Sequence, residues 1–311
     1  MRDPIAGLLA AQDCVILDGA LATELERRGA DLDDPLWSAR CLIERPDLIR
    51  DVHRDYLAAG ADVLTTATYQ ASFEGFARRG ITGDGADRLL RDAVRLACAA
   101  RDEFERGRVA ADRRRPLVAA SVGPYGAMLA DGSEYRGDYA ASDAELAAFH
   151  RPRLAVLASS GADLLACETL PCLREALVLA RLLGDFPEIG AWFAFSCRDG
   201  MHTSAGEDLA GCVAALEAFP QVLAVGVNCT APEHLDALLE RAGGATAKPL
   251  VAYPNSGERY DPSTKCWAGG RTGSSLAARA GGWRARGARL IGGCCRTTPR
   301  DIAVLRGALL R

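Results

Sequence analysis

The 311 residues are 49% hydrophobic and 25% charged with a net charge of −4, the profile of an ordinary soluble globular protein long enough for one large core. The negative balance argues against nucleic acid as a partner, and the one basic run, DRRRP at 112–116, directly precedes an apolar stretch and reads as a solvated linker rather than a phosphate-binding patch. No apolar run approaches the roughly 20 residues that span a bilayer, and the start, MRDPIAGLLAAQDC, lacks the apolar core of a signal peptide. The eleven cysteines are therefore expected as reduced thiols in a cytoplasmic protein, where grouped cysteines bind metal more often than they pair.

Eight short apolar runs punctuate the chain. CVILDGA near 14–20 is followed by a helix start, GALATELERRG, and the helical RPDLIRDVHRDYLAAG leads into ADVLTTATY at 61–69. PLVAASVG at 116–123 opens a long polar segment, after which SDAELAAFHRPRLAVLASSG reads as a helix with Ser142 as N-cap, Glu145 three residues on and Gly161 as the stop. ADLLACETL at 162–170, AWFAFSC at 191–197, VLAVGVNC at 222–229, PLVAYPN at 249–255 and ARLIGGCC at 288–295 complete the set. The runs are continuous rather than alternating, as expected of parallel strands buried on both faces. Eight strand–helix units predict a single (β/α)8 barrel over residues 1–311, one domain. A doubly wound sheet is the competing architecture, but no GxGxxG follows the first run.

Barrel enzymes place their chemistry at the C-terminal ends of the strands, and reactive residues recur there. Cys229 ends the sixth run, and Cys294 and Cys295 end the eighth behind two glycines, which permit unusual dihedrals and close approach to a ligand. Three thiolates with no CxxC knuckle suit a metal site with one position left open, as in catalytic rather than structural zinc. Cys14, Cys41, Cys98, Cys212 and Cys266 read as packing, as does Cys197. Asp18 and Glu168 end the first and fourth runs, where unpaired carboxylates are expensive. Either can cap the helix that follows; facing a pocket together, they can hold a substrate ammonium, with the helix start after Asp18 offering N–H groups to a carboxylate. His53 reads as a helix-face residue and His202 as a loop residue.

DGALATELERRG, LTTATYQASFEGF, SVGPYGAMLADGSEYRGDY, DGMHTSAGEDL, GVNCTAPEHL, YPNSGERYD and LIGGCCRTTPRDI together resemble the homocysteine S-methyltransferases, most closely the stand-alone type that uses S-methylmethionine or S-adenosylmethionine. The resemblance runs over essentially the whole chain in order. It implies a zinc (β/α)8 barrel with Cys229, Cys294 and Cys295 as metal ligands at the C-terminal rim, and homocysteine held by Asp18 and Glu168.

The chemistry agrees. A free thiol is mostly protonated at neutral pH, whereas its thiolate is the nucleophile. Zinc on three thiolates deprotonates a fourth sulfur, which attacks a methyl carried on a sulfonium; the thioether leaves neutral and needs no general acid. A sulfonium is attracted to aromatic rings or carboxylates. The segment GPYGAMLADGSEYRGDYAAS carries Tyr125, Tyr135 and Tyr139, and Tyr125 is the expected donor-side residue. Asn255 and Asn228 are expected to orient a ligand or a loop. The expected partners are small molecules only, with betaine a further candidate donor and selenocysteine or another thiol a further acceptor. A zinc barrel lyase or aldolase and a redox or zinc-storage protein are the readings from other classes.

Overall fold

The computed structural model describes residues 3–32, 34, 36–107, 113–261, 266–268 and 275–310. Its strands are β1 (Val15–Ile16), β2 (Val63–Thr65), β3 (Leu117–Val122), β4 (Leu164–Leu170), β5 (Ala191–Phe195), β6 (Val222–Asn228), β7 (Leu250–Tyr253), β8 (Arg259–Asp261), β9 (Cys266–Ala268) and β10 (Ala288–Ile291). Eight of them form one parallel sheet in the order β1-β10-β7-β6-β5-β4-β3-β2. A parallel bridge between Leu17 and Val63 joins its two ends, with Asp18 N–H donating to Val63 O at 3.1 Å. The sheet is thus a (β/α)8 barrel, and each of the eight apolar runs supplies one of its strands. The antiparallel pair β8–β9 lies between β7 and β10 and has no counterpart in the sequence reading.

Period-two alternation along the strands sorts their side chains into two apolar layers. Val15, Val63, Ala119, Ala166, Trp192, Ala194 and Tyr253 fill the barrel interior, where Ile5 and Leu8 of the helix Pro4–Leu9 join them. Ile16, Leu64, Val118, Cys167, Phe193 and Val225 face the surrounding helices. The alanines of the interior leave space for the two large rings, Trp192 and Tyr253, whose centroids lie 6.3 Å apart edge to face.

The helix Asp143–Ala158 begins with the expected capping box, Ser142 and Glu145 bonding reciprocally. Ser159 is its C-cap, and Gly161 follows in the left-handed region at φ +91°. The last helix, Pro299–Leu309, has a second such box, Thr298 with Asp301. Of the basic run, Asp112 lies outside the described residues. Arg113 departs from the linker reading: its guanidinium reaches Ala61 O at 2.8 Å and Asp62 at 3.2 Å, tying the chain before β3 to the entry of β2. Among the described residues no helix is long and apolar enough to cross a membrane.

Candidate active site

Cys229 directly follows β6, and Cys294 and Cys295 follow β10, with β7 between those strands. The end of β7 registers both segments: Cys229 N–H donates to Tyr253 O at 3.1 Å and Cys294 N–H to Pro254 O at 2.7 Å. The three sulfurs lie within 4.8 Å of one another. Cys294 Sγ–H donates to Cys229 Sγ at 2.8 Å, and Cys295 Sγ lies 3.3 Å from Cys229 and 4.0 Å from Cys294. These contacts, Cys294 first and Cys295 second, pull the Cys229 thiol well below its ordinary value despite burial. Cys229 takes φ +46°, the left-handed region. Such strain in a non-glycine residue persists only where its surroundings hold it. Asn255 helps to hold it, donating from Nδ2 to Cys229 O while its Oδ1 accepts from Gly257 N–H.

Gly292 and Gly293 serve a different purpose from the one expected. Neither has a positive φ. A Cβ at Gly292 would lie 2.6 Å from Leu17 Cβ, and one at Gly293 2.4 Å from Thr297 Oγ1. Glycine is required there because β10 exits hard against β1 and the following turn, and Gly293 also lines the cavity over the thiols. Thr297 then secures that turn by donating from Oγ1 to Cys294 O at 2.6 Å.

A cavity of about 580 Å³ opens over the thiols, and Asp18 and Glu168 line it. Asp18 accepts from Thr65 N–H at 2.7 Å and Thr65 Oγ1 at 2.9 Å. Burial, with the neighbouring Glu168 adding, pushes its pKa up to about 8 against those bonds. Asp18 caps no helix: the N-cap of the helix Leu21–Arg27 is Ala20, which has no side-chain cap. Glu168 accepts from Ser121 Oγ and from the Tyr253 hydroxyl, and burial pushes its pKa up to about 7. Tyr253 in turn accepts from Trp192 Nε1–H at 2.9 Å, so a hydrogen-bonded chain rises through the barrel interior to orient Glu168. The next residue, Thr169, also has a positive φ, +58°. Asn228 clamps it from β6, accepting from Thr169 N–H at 2.7 Å and donating to Thr169 Oγ1 at 2.8 Å.

Five predicted residues therefore meet in one cavity: Asp18, Glu168, Cys229, Cys294 and Cys295. Asn228 and Asn255 stand behind them as supports of strained backbone and do not line it. Tyr125 lies elsewhere. Its ring packs 5.1 Å from Phe149 and 5.5 Å from Tyr139, outside the cavity lining. Of the three tyrosines on that segment, Tyr135 reaches the site, its hydroxyl 3.4 Å from Cys229 Sγ. Tyr69, Gln70 and Glu134 line the same cavity; no periodicity or motif singles out Glu134, because it sits on a turn.

The remaining thiols do not join the cluster. Cys14, Cys41, Cys197 and Cys212 are buried, Cys98 is half-buried, and Cys167 faces the helices; the side chain of Cys266 lies outside the described residues. His202 bonds Asp199 on its loop at 3.0 Å. His53 is fully buried on the helix Pro46–Ala59 rather than on an exposed face, and neither ring nitrogen has a hydrogen-bond partner among the described residues.

The family model described as homocysteine S-methyltransferase matches residues 15–309. A homocysteine S-methyltransferase of Bacillus subtilis (strain 168), YbgG, is 53% identical over 303 residues, 96% of each chain. A selenocysteine Se-methyltransferase of Brassica oleracea var. italica is 45% identical over 306 residues, 95% of this chain and 88% of that protein. Among solved structures, the metallated form of the homocysteine methyltransferase MmuM from Escherichia coli superposes with a TM-score of 0.89 at 50% identity, over 98% of this chain and 99% of that one.

Proposed function

The chain belongs to the homocysteine S-methyltransferase family, and on that premise we propose that Cys229, Cys294 and Cys295 hold a zinc ion beside which homocysteine takes a methyl group from a sulfonium donor, giving methionine. The observation that carries this reading is the convergence of three thiols and two buried carboxylates on one cavity.

The donor set fits the metal. Zinc–sulfur bonds of about 2.3 Å in a tetrahedron put ligand sulfurs about 3.8 Å apart, and the three separations here run from 2.8 to 4.0 Å. Three soft thiolates leave a fourth position for a sulfur ligand. When bound, zinc supplies the Lewis acidity that keeps a sulfur nucleophile deprotonated at neutral pH.

The chain's own groups do the rest. Asp18 and Glu168 receive the homocysteine ammonium, whose charge offsets the cost that burial imposes on both carboxylates. The Thr65, Ser121 and Tyr253 donors hold those carboxylates in place before the substrate arrives. Tyr135 caps Cys229 and walls the cavity from solvent. The acceptor sulfur attacks the donor methyl in line; a carbon–sulfur bond forms, the donor's breaks, and the thioether leaves neutral with its electron pair. No proton is transferred to the leaving group. Three reduced thiols also favour the cytoplasm as the working compartment.

The test is methionine formation from homocysteine by the reduced, zinc-loaded protein, with S-methylmethionine, S-adenosylmethionine and betaine compared in parallel. Turnover with a sulfonium donor, lost with a chelator and recovered with zinc, is the expected result. No methionine from any donor, with zinc verified as bound, would overturn the reading.

A further inference from the structure

Part of the cavity lining comes from the segment between β3 and the helix Asp143–Ala158. Its turn Ser133–Tyr135 brings Glu134 and Tyr135 to the lining, beside Tyr69 and Gln70 from the end of β2. Glu134 is 8% exposed, yet its Oε2 has no hydrogen-bond partner among the described residues. Gln70 Oε1 is likewise buried and unpartnered, although its Nε2 donates to Ala127 O at 2.8 Å.

Both orphaned atoms are acceptors, and both belong to residues of one cavity wall. Of the other lining carboxylates, Asp31 pairs with Arg40 at 3.1 Å and Asp34 pairs with Arg79, while the exposed Glu26 has no ion pair among the described residues. Glu134 has no ion pair among the described residues. A buried carboxylate without an ion pair is costly, and burial pushes the pKa of Glu134 up to about 7 against its own backbone N–H and the nearby Arg136 charge.

The turn that carries Glu134 is rigid. Ser196 Oγ donates to Glu134 O, and Ser133 N–H donates to Asp131 Oδ1 at 2.9 Å. A Cβ on Gly126 would lie 2.6 Å from Glu134 N, so the turn is packed against the backbone of the helix Tyr125–Leu129. These contacts fix the backbone of Glu134, which places its side chain at the cavity lining.

We propose that Glu134 is the counter-charge for the sulfonium of the methyl donor, with the Tyr69 and Tyr135 rings as the apolar walls around it. This rests on the methyltransferase reading of the cavity. A sulfonium has no N–H or O–H to donate. Its charge is spread over polarised methyl and methylene carbons, which suit unpartnered oxygens through C–H···O contacts and aromatic faces through cation–π attraction. The thiol cluster lies on the same cavity, with Tyr135 bridging the two ends through Cys229, so a methyl held by Glu134 has the acceptor sulfur within the same enclosure. The site selects a cationic methyl donor over its neutral thioether product, which would also favour product release.

The test compares S-methylmethionine with methionine, which differ by one methyl cation, on Glu134→Gln. The amide keeps the volume and removes the charge. The donor KM, and the calorimetric affinity for S-methylmethionine, should weaken by about 10- to 100-fold. Inhibition by methionine against the donor should stay within about threefold, the homocysteine KM within about twofold, and the bound metal at one equivalent. Glu134→Asp retracts the charge by one methylene; it should give a smaller rise, about three- to tenfold, and becomes the test if the amide variant does not fold. An unchanged donor KM in the folded variant, or methionine affinity falling in parallel, would overturn the assignment. Wild-type protein that binds the sulfonium without making methionine would instead refute the homocysteine reading and leave this one standing.

Discussion

Glu134 and Glu175 are both buried against the segment 123–142, and they differ in what surrounds their oxygens. Glu175, on the helix Leu173–Leu183, is fully satisfied. Its Oε1 accepts from Tyr125 N–H at 2.6 Å and His150 Nε2–H at 2.7 Å, and its Oε2 from the Tyr139 hydroxyl. Arg153 closes the network, donating to His150 Nδ1 at 2.8 Å and to Gly123 O. Burial alone would raise the pKa of Glu175, but the bonds from His150, Tyr139 and Tyr125 hold it below the usual value. Glu134 has burial without those donors, and its pKa rises. Burial by itself therefore says nothing about role. Glu175 fastens the segment that carries Tyr135, whereas Glu134 lines the cavity with one oxygen that has no hydrogen-bond partner among the described residues.

That contrast predicts opposite signatures for the two sides of the molecule. The largest effect belongs to the rim. Cys229→Ser and Cys294→Ala should each lose the bound metal and at least about 1000-fold in turnover, with little change in the urea midpoint, because the rim contributes less to stability than the core. Plasma mass spectrometry and a methionine assay read this directly; a full metal equivalent with normal turnover would break the ligand assignment.

Glu175→Ala should do the reverse. It orphans His150, the Tyr139 hydroxyl and Tyr125 N–H in the core, costing about 3–5 kcal/mol in urea unfolding. A variant as stable as the parent would show that the network fastens nothing. Glu168→Gln should raise the homocysteine KM by about 10- to 100-fold through loss of a charged hydrogen-bond partner, leaving metal content intact. Saturation by homocysteine at the parental concentration would remove Glu168 from the acceptor site.

His53 is the sharpest control, since it has no hydrogen-bond partner among the described residues and does not line the cavity. Burial pushes its pKa down to about 4, against about 6.5 for an exposed histidine. Between those values the unfolded chain binds a proton that the folded chain does not, so stability falls as pH falls through that window and the effect levels off below about 4. At pH 5.5 the loss from this group is about 1.2 kcal/mol relative to pH 7. His53→Leu should flatten the difference between urea midpoints at pH 7 and 5.5 by that amount. Identical pH dependence in parent and variant would mean that His53 is not buried neutral.

Much of the site could be read directly in the chain. Asp18, Glu168, Cys229 and Cys294-Cys295 each sit at the C-terminal end of a continuous apolar run, and a barrel sends all such ends to one rim. Asn228 was visible for the same reason, but only the fold shows it clamping Thr169. Tyr125 and Tyr135 could not be told apart, because the five-residue helix and the short turn that carry them are too brief for periodicity to say which ring turns inward. Glu134 gave no signal. An acidic residue in a polar loop looks solvated until the turn is found packed on Gly126.

What the sequence by itself determined was the repeating pattern and its chemistry: eight apolar runs, the reactive residues ending them, and motifs that span the chain. Those are local properties, set by burial and by bond-making capacity residue by residue. Tertiary structure decided which acceptors were left over. Whether a buried oxygen is satisfied depends on donors that lie about 25 to 60 positions away, such as His150 for Glu175, Thr65 for Asp18 and Asn228 Nδ2 for Thr169 Oγ1. Only the closed barrel brings those donors to some carboxylates and withholds them from Glu134.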